Sequence, residues 1–140
     1  HSGALIVRND EIVSTGYNGA PRGRSNCIDL GYCIRERLGI PAGERYELCR
    51  SVHAEMNAII SAARSECIGG TIYLAGRDDA TGELIPDLLP CPMCRRMIIN
   101  AGLSKIVIRR TPSTYDILNV QDWVFHDDSV IDPSESGEQA

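Results

Sequence analysis

The stretch RSVHAEMNAII, residues 50–60, places a histidine and a glutamate two positions apart in a segment with the apolar spacing of a helix. Side chains at i and i+2 of a helix point to nearly opposite sides, so His53 and Glu55 cannot share a target along its flank. They can share one beyond the helix end if His53 lies in the first turn. The stretch therefore predicts a helix whose N-terminus faces a site that holds both groups.

Strand and helix patterns alternate on both sides of this stretch. Two β-prone runs, residues 4–8 and 11–17, are joined by Asn9-Asp10, which is a hairpin signal. The other predicted elements are a helix over 51–65, a strand at 71–76, a helix opening at Pro92 and closed by Gly102, a strand at 105–110, and a short helix and an edge strand within 115–125. The patterns together predict an α/β fold with a mixed sheet.

The length of the chain, 140 residues, corresponds to one domain, which we place at residues 1–126. A long irregular loop rich in Gly, Pro and charged residues runs from about 18 to 50, and it contains a short helical pattern at 33–39. Residues 127–140 are acidic and poor in apolar side chains, so we expect them to form a loose tail.

The composition argues against several function classes. The formal net charge of −5 disfavours a surface that must neutralise nucleic-acid phosphates. The chain has no apolar run as long as a membrane span and no leader pattern, so we expect a cytoplasmic protein without membrane contact. Its six cysteines are expected to be reduced thiols or metal ligands, since a chain of this size needs no disulfide framework.

Two cysteines, Cys91 and Cys94 in PCPMC, lie three positions apart at a predicted helix start, so their sulfurs fall on one face. Such a pair is also compatible with two buried thiols. With His53, the pair gives zinc a neutral three-ligand set and an open fourth position, as in catalytic sites. The alternative is a closed site with Cys49 as the fourth ligand. Glu55 favours the open site because zinc-water chemistry needs a base, although an acidic residue in a first helical turn also complements the helix dipole.

Four segments carry a family resemblance: TGYNGAPRG at 15–23, HAE at 53–55, PCPMC at 90–94 and INAGLSKIVI at 99–108. They resemble the zinc-dependent cytidine and deoxycytidylate deaminase superfamily, most closely the deoxycytidylate deaminases. The resemblance implies a three-layer cytidine-deaminase-like sandwich at residues 1–126, with the family's first helix absent from this chain. It also implies conversion of dCMP to dUMP, in which a zinc hydroxide attacks C4, Glu55 moves protons to N3 and the leaving amine, and ammonia departs.

Substrate contacts are also implied by the resemblance. Asn18 is similar to the asparagine that meets the substrate sugar, and the backbone of Ala54 is similar to the one that contacts the base. Arg22 and Arg24 flank the Asn18 loop and are candidates for a nucleotide phosphate, because arginine recognises phosphate with two parallel hydrogen bonds. Solvated loop arginines are the alternative. Tyr115 is a candidate for stacking on the base.

Further residues have candidate roles outside the catalytic site. On a continuous helix, Arg64 would lie about 16 Å beyond His53 along the axis, which favours an interface or effector contact. The resemblance implies a homo-oligomer, a dimer or a hexamer, with dCTP and dTTP as effectors. Cys27, Cys33 and Cys49 are candidates for a second, structural zinc, or else three reduced cysteines in a long loop.

Two other functions stay open. One is a deaminase of the same superfamily that acts on cytidine, guanine, a riboflavin precursor or tRNA adenosine, and the acidic charge counts against tRNA. The other is a noncatalytic zinc module used for assembly or nucleic-acid uptake, and the presence of Glu55 counts against it.

Overall fold

The computed structural model describes residues 1–26, 30–41, 48 and 51–126. The elements in these ranges are, in chain order, β1 Ser2–Arg8, β2 Glu11–Tyr17, α1 Ile34–Arg37, α2 Ala54–Ile60, α3 Arg64–Cys67, β3 Thr71–Gly76, α4 Pro92–Ala101, β4 Lys105–Thr111, β5 Thr114–Asn119 and α5 Val120–His126. The predicted tail at 127–140 lies outside the described residues. None of the described helices is long and apolar enough to cross a bilayer.

The five strands form one mixed sheet in the order β2-β1-β3-β4-β5. β3 and β4 run parallel, and the other neighbouring pairs are antiparallel. The β1–β2 hairpin turns at Asn9 and Asp10, whose φ angles are 52° and 61°. Two successive positive φ angles match the twist of the flanking strands, and asparagine and aspartate tolerate them better than most residues. The predicted α/β class, mixed sheet and hairpin are therefore confirmed.

The hydrophobic core lies between one face of the sheet and the helices. Alternate residues of the central strands point to this face, because successive side chains of a strand alternate between the two sides. They are Ala4 and Ile6 on β1, Ile72 and Leu74 on β3, and Ile106 and Ile108 on β4. The helices contribute Ala54 and Ala58 from α2, Cys67 from α3, Ile98 and Ala101 from α4, and Val120 from α5.

The opposite face of the sheet carries exposed aromatic and aliphatic side chains. Tyr73, Tyr115 and Ile117 are 41%, 59% and 55% exposed, and they line a hollow of about 750 Å³. Within the described residues, every helix that contributes to the buried core packs on the other face. The metal-ligand candidates described below belong to that helical side.

The helix predicted over 51–65 is wrong in its extent, because the structure contains two short helices in its place. α2 ends at Ile60, and Ala63 is extended with φ −81° and ψ 147° before α3 begins at Arg64. Neither glycine nor proline marks the break, and the apolar spacing continues through it. The change of direction lets α3 bury Cys67 in the core, so tertiary packing overrides the local pattern. The separation inferred between His53 and Arg64 along one helix axis is wrong for the same reason.

Candidate metal centre

The three predicted zinc ligands converge at the starts of two helices. His53 is the N-cap of α2, Cys91 is the N-cap of α4, and Cys94 lies in the first turn of α4. Nδ1 of His53 lies 3.3 Å from Sγ of Cys94 and 3.4 Å from Sγ of Cys91. The potential ligand atoms of the three residues all lie within 4.8 Å of one another. The structure thus brings together residues that are about forty positions apart in sequence.

The spacing of these atoms fits a tetrahedral zinc site. With Zn–N near 2.0–2.1 Å and Zn–S near 2.3 Å, a nitrogen and a sulfur ligand of a tetrahedral ion lie about 3.6 Å apart. The observed nitrogen–sulfur distances of 3.3 and 3.4 Å approach this value. One imidazole and two thiolates fit a catalytic Zn²⁺, because they leave one coordination position for water or substrate.

The two cysteines interact directly. The thiol of Cys94 donates to the sulfur of Cys91, and this contact lowers the pKa of Cys91 to about 4 and raises the pKa of Cys94. The backbone N–H of Cys94 also donates to Sγ of Cys91, over 3.4 Å. The Cys94 thiol, together with the Cys94 backbone N–H, therefore favours a thiolate at Cys91, and a thiolate is the form of cysteine that binds metal.

Glu55 lies in the first turn of α2, beside the ligand cluster, and is only 6% exposed. Burial raises its pKa, while its own backbone N–H, the nearby His53 and the thiol of Cys94 act in the opposite direction. A carboxyl group with a raised pKa holds a proton more readily than an exposed one, which suits a group that accepts and returns protons. The stretch RSVHAEMNAII predicts that a histidine and a glutamate meet at the start of a helix. The positions of His53 and Glu55 at the start of α2 agree with this prediction.

The first turn of α2 is held against the end of β2. A Cβ at Gly16 would lie 2.4 Å from the carbonyl oxygen of Ala54, so only glycine permits this approach. Oγ of Ser14 donates to the carbonyl oxygen of Ala58 over 2.7 Å, and Nδ2 of Asn57 donates to the carbonyl oxygen of Tyr17 over 2.7 Å. Sequence reasoning missed these supports, although a glycine inside a strand is a signal of close backbone approach.

The loop that carries Asn18 begins beside the candidate metal centre. Gly19 and Val52 exchange two backbone hydrogen bonds, and Val52 directly precedes His53. Oδ1 of Asn18 accepts the backbone N–H of Ser2 over 2.6 Å, so this atom already has a partner. Ala54, whose backbone is predicted to contact the base, is fully buried in this structure.

The remaining predicted substrate residues are placed differently. Arg22 and Arg24 are exposed on the loop that follows Gly19, where the Arg24 N–H closes a turn on the carbonyl oxygen of Pro21. Tyr115 lines the hollow on the sheet face away from α2 and α4. Its strand partner is Arg109, which follows the buried Ile108 and therefore faces the other side. The structure does not bring the Tyr115 ring to the ligand cluster.

Arg64 and Cys33, the described residues among the candidates for an interface and a second metal, are not part of the ligand cluster. Arg64 lines a cavity of about 330 Å³ between α3 and α4. Cys33 is partly buried at the start of α1, while Cys27 and Cys49 lie outside the described residues. The second zinc therefore stays a prediction, and so does the choice between water and Cys49 as the fourth ligand.

Residues 1–110 match the family model of the cytidine and deoxycytidylate deaminase zinc-binding region. The chain is 33% identical over 105 residues to the deoxycytidylate deaminase of Schizosaccharomyces pombe, covering 75% of this chain and 29% of that protein. It is 34% identical over 110 residues to the deoxycytidylate deaminase of Mycobacterium phage D29, covering 75% of this chain and 74% of that protein. The crystal structure of dCMP deaminase from the cyanophage S-TIM5 in apo form superposes with a TM-score of 0.48 at 24% identity, over 80% of this chain and 68% of that chain.

The family model covers most of the chain, and its zinc-binding description agrees with the convergence of His53, Cys91 and Cys94. The chain spans less than a third of the length of the S. pombe relative but about three quarters of the length of the phage D29 relative. On this match, the chain belongs to the cytidine and deoxycytidylate deaminase family.

Proposed function

We propose that the protein catalyses the zinc-dependent hydrolysis of dCMP to dUMP and ammonia. The observation that carries the proposal is the buried carboxyl group of Glu55 beside the cluster of His53, Cys91 and Cys94. A noncatalytic zinc module has no need to bury an acidic side chain there, since removing a carboxyl group from water is unfavourable. The deaminase domain is proposed to occupy residues 1–126.

The proposed chemistry divides between the metal and the protein. Zinc held by the three ligands supplies Lewis acidity, which lowers the pKa of a bound water towards neutrality. Glu55 accepts one proton from the attacking water and delivers it to N3 of the pyrimidine, then accepts the remaining proton of the C4 hydroxyl and delivers it to the amine at C4. The C4–N bond then breaks, ammonia leaves, and the oxygen of water remains as the C4 carbonyl. The raised pKa of Glu55 supports this exchange of protons in both directions.

The loop after β2 is proposed to bind the sugar and the phosphate. Gly19 is hydrogen-bonded to Val52, so the loop starts next to His53. We propose that the Asn18 amide group contacts the sugar, and that Arg22 and Arg24 contact the phosphate with charge-assisted hydrogen bonds. The names of the S. pombe and phage D29 relatives, both deoxycytidylate deaminases, support a nucleotide substrate.

The oligomeric state, the effectors and the cellular location of the enzyme are proposed by analogy with the family. We propose a homo-oligomer, a dimer or a hexamer, that responds to dCTP and dTTP, with Arg64 at an interface or effector contact. A deoxynucleotide substrate and reduced cysteine ligands support activity in the cytoplasm. The formal net charge of −5 disfavours a nucleic-acid partner, including the tRNA substrate of the alternative deaminases.

A substrate panel tests the proposal. The zinc-loaded protein is incubated with dCMP, CMP, deoxycytidine, cytosine, guanine and tRNA, and ammonia release is measured against a Glu55→Gln blank. We expect the highest kcat/KM with dCMP. A higher value with deoxycytidine or guanine would reassign the substrate within the family. Zinc binding without ammonia release from any compound would favour the noncatalytic zinc module.

A further inference from the structure

Arg110, near the end of β4, joins three parts of the structure through its guanidinium group. Its Nε donates to Oδ2 of Asp116 on β5 over 2.8 Å, and its Nη1 donates to the carbonyl oxygens of Pro86 and Leu88 over 3.0 and 2.6 Å. The Arg110 side chain is 17% exposed, whereas that of Asp116 is 58% exposed. The guanidinium group is therefore mostly enclosed, and two of its three hydrogen bonds are donated to the loop that precedes α4.

That loop, residues 86–90, leads directly into the metal-ligand candidate Cys91. In the described part of the chain, no hydrogen bond between two backbone groups involves residues 86–90. The nearest such bond on the N-terminal side joins the Ile85 N–H to the carbonyl oxygen of Gly76. Pro86 and Pro90 have no N–H to donate, so the loop depends on donors that reach its carbonyl groups from elsewhere.

The C-terminal end of the loop is anchored in the structure. Pro90 is fully buried and Leu88 packs against the core, while Cys91 begins α4 with its sulfur at the metal centre. A displacement of the Leu88 backbone would therefore be transmitted through two residues to the Cys91 sulfur. Zinc sites are sensitive to such changes, because groups that hold a ligand in place typically alter metal affinity by about 10- to 100-fold.

We propose that Arg110 is a positioning residue for the metal centre: it fixes loop 86–90 on the sheet and so holds Cys91 in the geometry that binds zinc. The inference rests on the proposed role of Cys91 as a zinc ligand. It assigns no contact between Arg110 and the substrate. The planar guanidinium group suits this task because it places donors towards Asp116 and towards the loop at the same time, which a lysine ammonium group does less well.

Arg109→Met is the matched control for Arg110→Met. Both variants remove one arginine from neighbouring positions of β4, but Arg109 donates to the carbonyl oxygen of Pro112, away from the loop. Zinc release into excess chelator is measured at 25 °C by a colorimetric reaction. We expect Arg110→Met to lose zinc at least about tenfold faster than the parent, and Arg109→Met to remain within about twofold of it. Arg110→Lys should fall between the parent and Arg110→Met.

A spectroscopic measurement separates positioning from general destabilisation. In protein loaded with Co²⁺, the visible bands report thiolate coordination, and Arg110→Met should alter them while Arg109→Met leaves them unchanged. If Arg110→Met does not fold, Arg110→Lys and Asp116→Asn take its place, with the same expected direction. Parental zinc release and parental cobalt spectra in the Arg110 variants would overturn the inference. A parent protein that binds no zinc would instead refute the proposed metal site itself.

Discussion

Gly16 and Ala54 approach each other so closely that the space between β2 and the first turn of α2 cannot hold a methyl group. A Cβ built on Gly16 would lie 2.4 Å from the carbonyl oxygen of Ala54 and 2.4 Å from the backbone nitrogen of Ala58. Both neighbours are backbone atoms, so no side-chain rotation can relieve the contact. Because Ala54 lies between His53 and Glu55, the glycine sets where both groups stand relative to the sheet.

Gly16→Ala is expected to destabilise the protein and to weaken zinc binding. Overpacking of a well-packed site typically costs about 1–3 kcal/mol, and α2 must shift as a unit to accommodate the methyl group. Chemical denaturation and zinc titration measure the two effects. Gly3→Ala is the control, because nothing lies within 4 Å of a Cβ at Gly3 and its φ is not positive. Equal stability and zinc affinity in the two variants would show that α2 is not fixed by this contact.

Alanine at any of His53, Cys91 or Cys94 is expected to abolish stoichiometric zinc binding, because two remaining ligands hold zinc weakly. Metal content after dialysis measures this loss. Cys67→Ala is the control: Cys67 is a buried thiol in the core, so its removal should lower stability but leave the zinc content unchanged. Full zinc content in a Cys91→Ala or Cys94→Ala variant would remove that cysteine from the ligand set.

The zinc-loaded protein is expected to have one nitrogen, two sulfurs and one oxygen around the metal. The reason is that His53, Cys91 and Cys94 leave one position for water, and catalysis at zinc requires this opening. X-ray absorption at the zinc edge distinguishes this ligand set from a set with three sulfurs. Three sulfurs would identify a closed site with an additional cysteine, and Cys49→Ser would then test whether that cysteine is Cys49.

A preference for dCMP over deoxycytidine is expected to depend on Arg22 and Arg24. Each charge-assisted hydrogen bond to phosphate contributes about 1.5–3 kcal/mol, so two contacts give a preference of roughly a hundredfold or more in kcat/KM. Arg22→Ala and Arg24→Ala should reduce the preference without changing zinc content or the reaction with deoxycytidine. Arg8→Ala removes the same charge at the C-terminal end of β1, outside the loop after β2, and should keep the preference for dCMP. Unchanged discrimination in both loop variants would exclude these arginines as the phosphate site.

The elements that the sequence predicts well are those with local chemical signals. Asn9-Asp10 forms the predicted hairpin turn, and α4 begins at Pro92 and ends at Ala101, where Gly102 caps it with a φ of 82°. These residues define a turn or a helix end through their own backbone preferences, so no knowledge of the rest of the fold is required. The grouping of His53, Cys91 and Cys94 was also predictable, because zinc restricts which side chains can bind it and how many.

Features that depend on packing between distant segments could not be predicted in the same way. The break between Ile60 and Arg64 has no glycine or proline, and it follows from the burial of Cys67 in the core. The direction of Tyr115 depends on the register between β4 and β5, since a shift of one residue would turn it to the other face. The contacts of Arg110 with loop 86–90 likewise join positions more than twenty residues apart in sequence.

The formation of dUMP from dCMP by the zinc-loaded Glu55→Gln protein tests the role of the buried carboxyl group most directly. Glutamine has nearly the same size as glutamate, so the three ligands should keep their places and the zinc content should equal that of the parent. The proton transfers are lost, and kcat should fall by at least about 10²- to 10⁴-fold. Near-parental dUMP formation by a fully zinc-loaded Glu55→Gln protein would contradict the assignment of Glu55 as the group that moves protons.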